Sequence, residues 1–183
     1  LEPEITDART FDKTVCLPPD SVHQGAALEV RPLNWGKLDD VAITGQGLPL
    51  MVALDRVTDP HNVGAILRSA EVFGARAVIA PARHTAPETG ALAKTASGAL
   101  ERQPYLRIGN LSDALEELKA AGFVTIGLAG ETDASLYALD LKGNVALVMG
   151  SEGDGLRRLT RENCDQLVKI PMPGEFESLN VSV

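Results

Sequence analysis

Three short stretches of the 183-residue chain carry residue types that could do chemistry. The first is Asp59-Pro60-His61-Asn62-Val63-Gly64, with Arg68 further on. Asn62 stands near a helix start, where an amide can cap and free backbone N–H groups can meet an anion; Arg68 falls less than two turns later. The plain alternative is that Asn62 only caps and Arg68 only snorkels from the helix edge. The second stretch is Gly150-Ser151-Glu152-Gly153-Asp154-Gly155, directly behind an apolar run. Its glycines let the backbone bend tightly and approach a ligand, or simply make a sharp strand-to-helix turn. Glu152 is the carboxylate there that could orient other groups. The third stretch runs from Ile170-Pro171-Met172-Pro173-Gly174 to Ser178-Leu179-Asn180-Val181-Ser182-Val183. Its prolines and glycine forbid regular structure. Ser178 and Asn180 are small polar groups spaced as in an ordered loop or a helix entry, a terminal loop without function being the alternative.

Other chemistries lack their residues. The three histidines, His23, His61 and His84, are scattered with no ligand spacing, so no metal is expected. The order Gly150-Ser151-Glu152-Gly153 does not make a nucleophile elbow, which argues against a serine hydrolase. The first stretch lacks the glycine fingerprint of a dinucleotide site, which argues against a Rossmann-type enzyme, and the glycine loop at 150–155 lacks the lysine of a triphosphate loop. Aromatic residues make up only 4% of the chain, too few for a base-stacking platform.

Composition bounds the rest. With 44% hydrophobic and 23% charged residues the chain is globular in type, and its apolar runs, such as residues 51–54 and 145–149, are far too short to span a membrane. The opening residues lack the order of a secretory signal. Cys16 and Cys164 lie far apart and match no metal spacing, which points to a reduced, cytoplasmic setting. The net charge of −8 is unevenly spread: residues 51–110 carry 7 basic and 5 acidic groups, whereas every other segment is acidic. A modest positive stripe on an acidic body suits a partner touched through a few phosphates, though an ordinary mixed surface looks the same.

These groups need a scaffold. Residues 1–20 are acidic, contain proline and show no sustained period, as a linker would. Short apolar strands are expected at 49–57, 77–80, 105–108, 123–128, 144–149 and 166–170. Helices are expected at 62–73, 88–100, 111–121 and 160–164. Strands alternating with helices give an α/β domain: a mainly parallel sheet with helices on both faces. Ligands of such sheets bind beyond the carboxyl ends of the strands, where all three stretches fall.

In this order, the three stretches resemble the motifs of the SpoU–TrmH family of RNA ribose 2′-O-methyltransferases, within the SPOUT class. The first motif reads Leu54-Asp55-Arg56-Val57-Thr58-Asp59-Pro60-His61-Asn62-Val63-Gly64-Ala65-Ile66-Leu67-Arg68-Ser69-Ala70. The second runs from Leu147 to Leu156, and the third from Ile170 to Val183. His23-Gln24-Gly25 and the stretch from Lys94 to Glu101 resemble the RlmB-like subgroup, which methylates a guanosine of 23S ribosomal RNA. Members acting on transfer RNA share all three motifs, so the RNA stays open, and a non-catalytic module that binds ribosomal RNA is the other alternative.

The resemblance implies a carboxyl-terminal trefoil knot, a homodimer, and S-adenosylmethionine held by main-chain groups of three loops. The residues matching that cofactor site are Leu128, Ala129, Gly130, Gly150, Ile170, Met172, Ser178 and Leu179. Asn62, Arg68, Glu152, Ser178 and Asn180 match the catalytic set. Family mechanisms make Arg68 a base, yet a guanidinium holds its proton to a pKa above about 12. Arg68 is better suited to clamping an RNA phosphate and steadying the developing alkoxide. Asn62 is then expected to orient the ribose, with Glu152 and Asn180 holding Arg68 and the loops. Residues 22–183 would be the catalytic domain and 1–21 a linker or the remnant of an amino-terminal RNA-binding domain. The family continues into a long helix past the position of Val183, so the chain is expected to be trimmed there.

Overall fold

The computed structural model describes residues 2–17, 23–31, 33–43, 49–174 and 179–183. It divides into two compact units, Leu1–Asn34 and Trp35–Val183. The boundary expected after residue 21 lies outside the described residues. The first unit contains a one-turn helix, α1 (Phe11–Thr14), and a contact of 2.8 Å between His23 Nε2 and the Asp12 carboxylate.

The second unit begins with a short helix, α2 (Leu38–Val41). It then alternates strands and helices: β1 (Leu50–Asp55), α3 (Pro60–Val72), β2 (Ala77–Pro81), α4 (Gly90–Ala96), β3 (Tyr105–Ile108), α5 (Leu111–Ala120), β4 (Phe123–Leu128), β5 (Asn144–Gly150), α6 (Arg158–Glu162) and β6 (Gln166–Val168). The strands form one sheet in the order β3-β2-β1-β5-β4-β6, and every pairing is parallel.

Both faces of this sheet are covered, which is why its strands are mostly apolar. Met51 and Ala53 of β1 and Ala77 and Ile79 of β2 join one core with Leu111, Leu115 and Leu118 of α5. The alternate residues Val52, Leu54, Val78 and Ala80 join a second core with Val63, Leu67 and Ala70 of α3 and Leu92 of α4. A one-residue slip of any strand would exchange its two sets of side chains.

The helix boundaries have local causes. Asp59, not Asn62, caps α3: its carboxylate accepts the His61 N–H at 2.9 Å, and Pro60 occupies the first turn, where no backbone donor is needed. The helix therefore starts earlier than expected, and Asn62 lies inside it with its side chain free for another partner. The helix ends at Gly74, whose φ of +70 lets Ala75 N–H reach back to the Ala70 carbonyl at 2.8 Å. The weak helix expected at 88–100 breaks at Ser97 and Gly98, both left-handed, into α4 and a 3-10 turn at Ala99–Glu101. The last strand stops at Val168, before the expected 170, and α6 starts at Arg158 rather than 160.

The two cysteines differ sharply. Cys16 is exposed. Cys164 packs against the sheet, and burial, reinforced by the neighbouring Asp165 carboxylate, pushes its thiol up to about 11 from 9.0. An aromatic disulfide reagent at pH 8 should therefore modify one thiol per native chain and two after unfolding. Because the folded state keeps this thiol protonated, its contribution to stability is complete below pH 9.0 and disappears as the pH rises towards about 11. Melting curves should show this alkaline step, worth roughly 1–2 kcal/mol after allowance for its half-buried edge, and Cys164→Ala should remove it.

Candidate active site

The site follows from strand order. From β1 the chain winds outward through β2 to β3, then crosses the sheet to β4 and returns to place β5 beside β1. This reversal leaves a crevice above the carboxyl ends of β1 and β5, where loops diverge to either side. A cleft of about 480 Å³ opens beside this point, over the carboxyl ends of β4, β5 and β6, within the ~300–1,000 Å³ usual for small-molecule sites. Of the residues expected to hold a cofactor, Leu128, Ala129, Gly130, Gly150, Ile170, Met172 and Leu179 line it, as do Glu152 and Asn180. Ser178 lies outside the described residues.

The loop after β5 is folded back on itself. Ser151 and Gly155 exchange backbone hydrogen bonds of 3.2 and 3.0 Å, and Gly153 and Gly155 are left-handed, with φ of +89 and +64. Gly150 lies under this turn. A Cβ there would sit 2.2 Å from the Gly155 carbonyl carbon and 2.4 Å from its oxygen, so only glycine fits. The loop is then anchored to β1. Arg157 donates from its backbone N–H (2.9 Å) and from Nε (2.6 Å) to the two carboxylate oxygens of the fully buried Asp55. These two residues escaped sequence reasoning as a pair. Asp55 sits within the first motif, but nothing in the sequence links it to a partner 102 positions away.

Glu152 joins all three stretches. Its Oε1 accepts the Asn62 side-chain amide at 3.1 Å and the Val181 N–H at 3.4 Å. Asn62 does not itself line the cleft, but its amide is thus tied to a residue that does, as is Val181. Asn180 caps a terminal turn, its Oδ1 accepting the Ser182 N–H at 2.8 Å and the Ser182 hydroxyl. Neither Glu152 nor Asn180 holds Arg68, contrary to expectation. Arg68 is exposed, does not line the cleft and has no hydrogen bond or ion pair among the described residues. Six residues of helix rotate a side chain by roughly 240° and advance it about 9 Å, which separates Arg68 from Asn62.

Glu131 is paired with Arg161, but Glu152 and Asp154 still outnumber Lys169 along the cleft, so it favours a cationic ligand. Backbone-rich walls leave N–H and C=O groups free for an adenine edge. A sulfonium nucleoside such as S-adenosylmethionine fits both features. Among the described residues, no group of three or more His, Cys, Asp or Glu could hold a metal, and no helix is long and apolar enough to cross a membrane.

Fold and cleft together define an α/β protein that binds a small ligand over the carboxyl edge of a parallel sheet. Residues 49–183 match the family model of the SpoU rRNA Methylase family. The chain belongs to that family. It is 49% identical over 167 residues to the 23S rRNA (guanosine-2′-O-)-methyltransferase RlmB of Pseudomonas aeruginosa, a match covering 90% of this chain and 67% of the relative. It is 52% identical over 164 residues to the RlmB of Xylella fastidiosa, covering 88% and 66%. Among solved structures, the AdoMet complex of the SpoU methyltransferase AviRb from Streptomyces viridochromogenes shares 32% identity at a TM-score of 0.68, covering 77% of this chain and 55% of that one. The AdoMet-bound rRNA methyltransferase from Sinorhizobium meliloti shares 31% identity at a TM-score of 0.73, covering 81% and 56%. The chain thus spans about two thirds of the curated relatives and little more than half of the solved chains.

Proposed function

We propose that this chain is the methyltransferase domain of an enzyme that methylates the ribose 2′-hydroxyl of a guanosine in 23S ribosomal RNA. The observation that carries the reading is Glu152 holding the Asn62 amide at the mouth of an acidic, backbone-lined cleft. The RlmB relatives, about half identical to this chain, support the RNA and the nucleotide. The domain lies within residues 22–183, with Trp35–Val183 as its compact body. The carboxyl-terminal trefoil knot, the homodimer and the cytoplasmic setting belong to the same reading.

S-adenosylmethionine, when bound, supplies a methyl group on a sulfonium that is already a good leaving group. The protein's task is therefore positioning. Leu128, Ala129, Gly130, Gly150, Ile170, Met172, Ser178 and Leu179 hold the donor. Asn62 orients the ribose hydroxyl, and Glu152 keeps its amide from rotating. Arg68, exposed on a different face of α3 from Asn62, clamps an RNA phosphate. Asn180 and Ser178 shape the segment that closes the cleft.

The test is transfer of labelled methyl groups to 23S ribosomal RNA, with the modified ribose mapped by primer extension. Asn62→Ala and Glu152→Ala should each lower turnover about 100-fold, the loss expected for a misplaced reactant. Arg68→Lys should retain part of the activity and Arg68→Ala should lose it. A protein that binds this RNA and the donor yet transfers no methyl group would be a binding module, and the reading would be wrong.

A further inference from the structure

The positive stripe at 51–110 splits into paired and unpaired cations. Arg76 donates to the Ile43 carbonyl, Arg102 pairs with Glu71, and Arg107 donates to the carbonyls of Ala82 and Ala86. Arg56, Arg68, Arg83 and Lys94 are exposed, and their side chains make no hydrogen bond or ion pair among the described residues. Two of these four, Arg56 and Arg83, stand just beyond the carboxyl ends of the neighbouring strands β1 and β2.

Arg56 directly follows Asp55, whose register partner is the cleft residue Gly150. The adjoining carboxylate does not neutralise it, because Arg157 occupies both oxygens of Asp55. The backbone is unusual at both strand ends: Arg56 and His84, next to Arg83, are left-handed with φ of +60 and +62. Side-chain-bearing residues rarely adopt that conformation, and it tends to persist where a function uses it. An acidic cleft above β4 and β5 is thereby flanked, on its β1 side, by free guanidinium groups.

We propose that Arg56 and Arg83 form a phosphate-binding rim that takes the RNA backbone flanking the nucleotide presented at Asn62. Arg56 and Arg83 follow the carboxyl ends of two neighbouring strands, so their long stems can reach phosphates of one RNA strand. Arginine offers the planar donor fork suited to phosphate oxygens. The rim rests on the ribose-methyltransferase reading and adds to it the surface that docks the substrate strand. It also explains how a chain of net charge −8 approaches a polyanion: the contact is local.

The experiment measures binding of a fluorescent 23S ribosomal RNA fragment across a salt series. Each phosphate contact on single-stranded RNA contributes about 0.7 to the slope of log Kd against log salt. The double variant Arg56→Ala/Arg83→Ala should lose about 1.4 of that slope and bind roughly tenfold more weakly at low salt, with an unchanged Tm. Lys142→Ala is the comparison. Lys142 is also exposed, but it is paired with Asp140 at 2.7 Å and precedes β5, at the amino ends of the parallel strands, so slope and Kd should not move. If the unsubstituted protein methylates the RNA and the double variant binds as tightly with the same slope, the rim is wrong and the reading stands. If the unsubstituted protein neither binds nor methylates RNA, both fall.

Discussion

Gly150→Ala should abolish measurable S-adenosylmethionine binding in calorimetry and destabilise the protein by about 2 kcal/mol or more. The added methyl has nowhere to go. It meets the Gly155 carbonyl carbon at 2.2 Å and the Leu156 nitrogen at 2.5 Å, both backbone atoms. A flexible side chain could swing away, but a turn locked by the paired Ser151 and Gly155 backbones cannot. Relief requires the whole loop at 151–155 to lift, and that loop is one wall of the cleft. Gly153→Ala separates this steric effect from simple loss of a glycine. Gly153 has φ of +89 but nothing within 4 Å of an added Cβ. It should cost about 1 kcal/mol of backbone strain and leave donor binding measurable. Equal donor affinity in Gly150→Ala and the unsubstituted protein would show that the cleft is not the donor site.

Arg157→Ala should destabilise the fold by about 3 kcal/mol, more than Asp55→Ala. The asymmetry comes from solvation. Asp55 is fully buried, whereas the Arg157 side chain is 47% exposed. Removing the arginine leaves a carboxylate inside the protein with only a backbone donor. Removing the aspartate leaves a guanidinium that water can still reach, at about 1–2 kcal/mol. Urea unfolding of the two variants measures the difference. Both should also weaken donor binding, since the pair ties the loop after β5 to the end of β1. The idea fails if Asp55→Ala proves the more damaging substitution.

Much of the architecture is legible from local pattern. The helix at Leu111 starts where expected because Asn110 caps it, its side chain accepting the Ser112 N–H at 3.0 Å. The strands at 105–108 and 123–128 coincide with expectation, since apolar runs bounded by turns need only local information. Element ends were harder to read. Asp59 and Asn62 are both good caps by residue type, and only the backbone geometry chose the aspartate. Ser97 and Gly98 interrupt a stretch whose composition permits a continuous helix.

The site shows the same division more sharply. Local residue types nominated Asn62, Gly150, Glu152 and the segment at 170–180 as ligand-facing, because glycines, small side chains and capping groups mark places where backbone meets ligand; the loop at 128–130 came only from the family resemblance. Their convergence depended on strand order. β5 had to insert between β1 and β4 before Glu152 could reach Asn62, 90 positions earlier, or Arg157 could reach Asp55. Arg68 illustrates the reverse: adjacent to Asn62 in sequence terms, it is carried around α3 to another face by helical rotation. Sequence alone determined which elements form and which residues are suited to chemistry, because hydrophobic period and turn preference act over a few residues. Which of those residues meet was decided only by tertiary structure, since a hydrogen bond of about 3 Å between distant segments exists only once two cores have packed against one sheet.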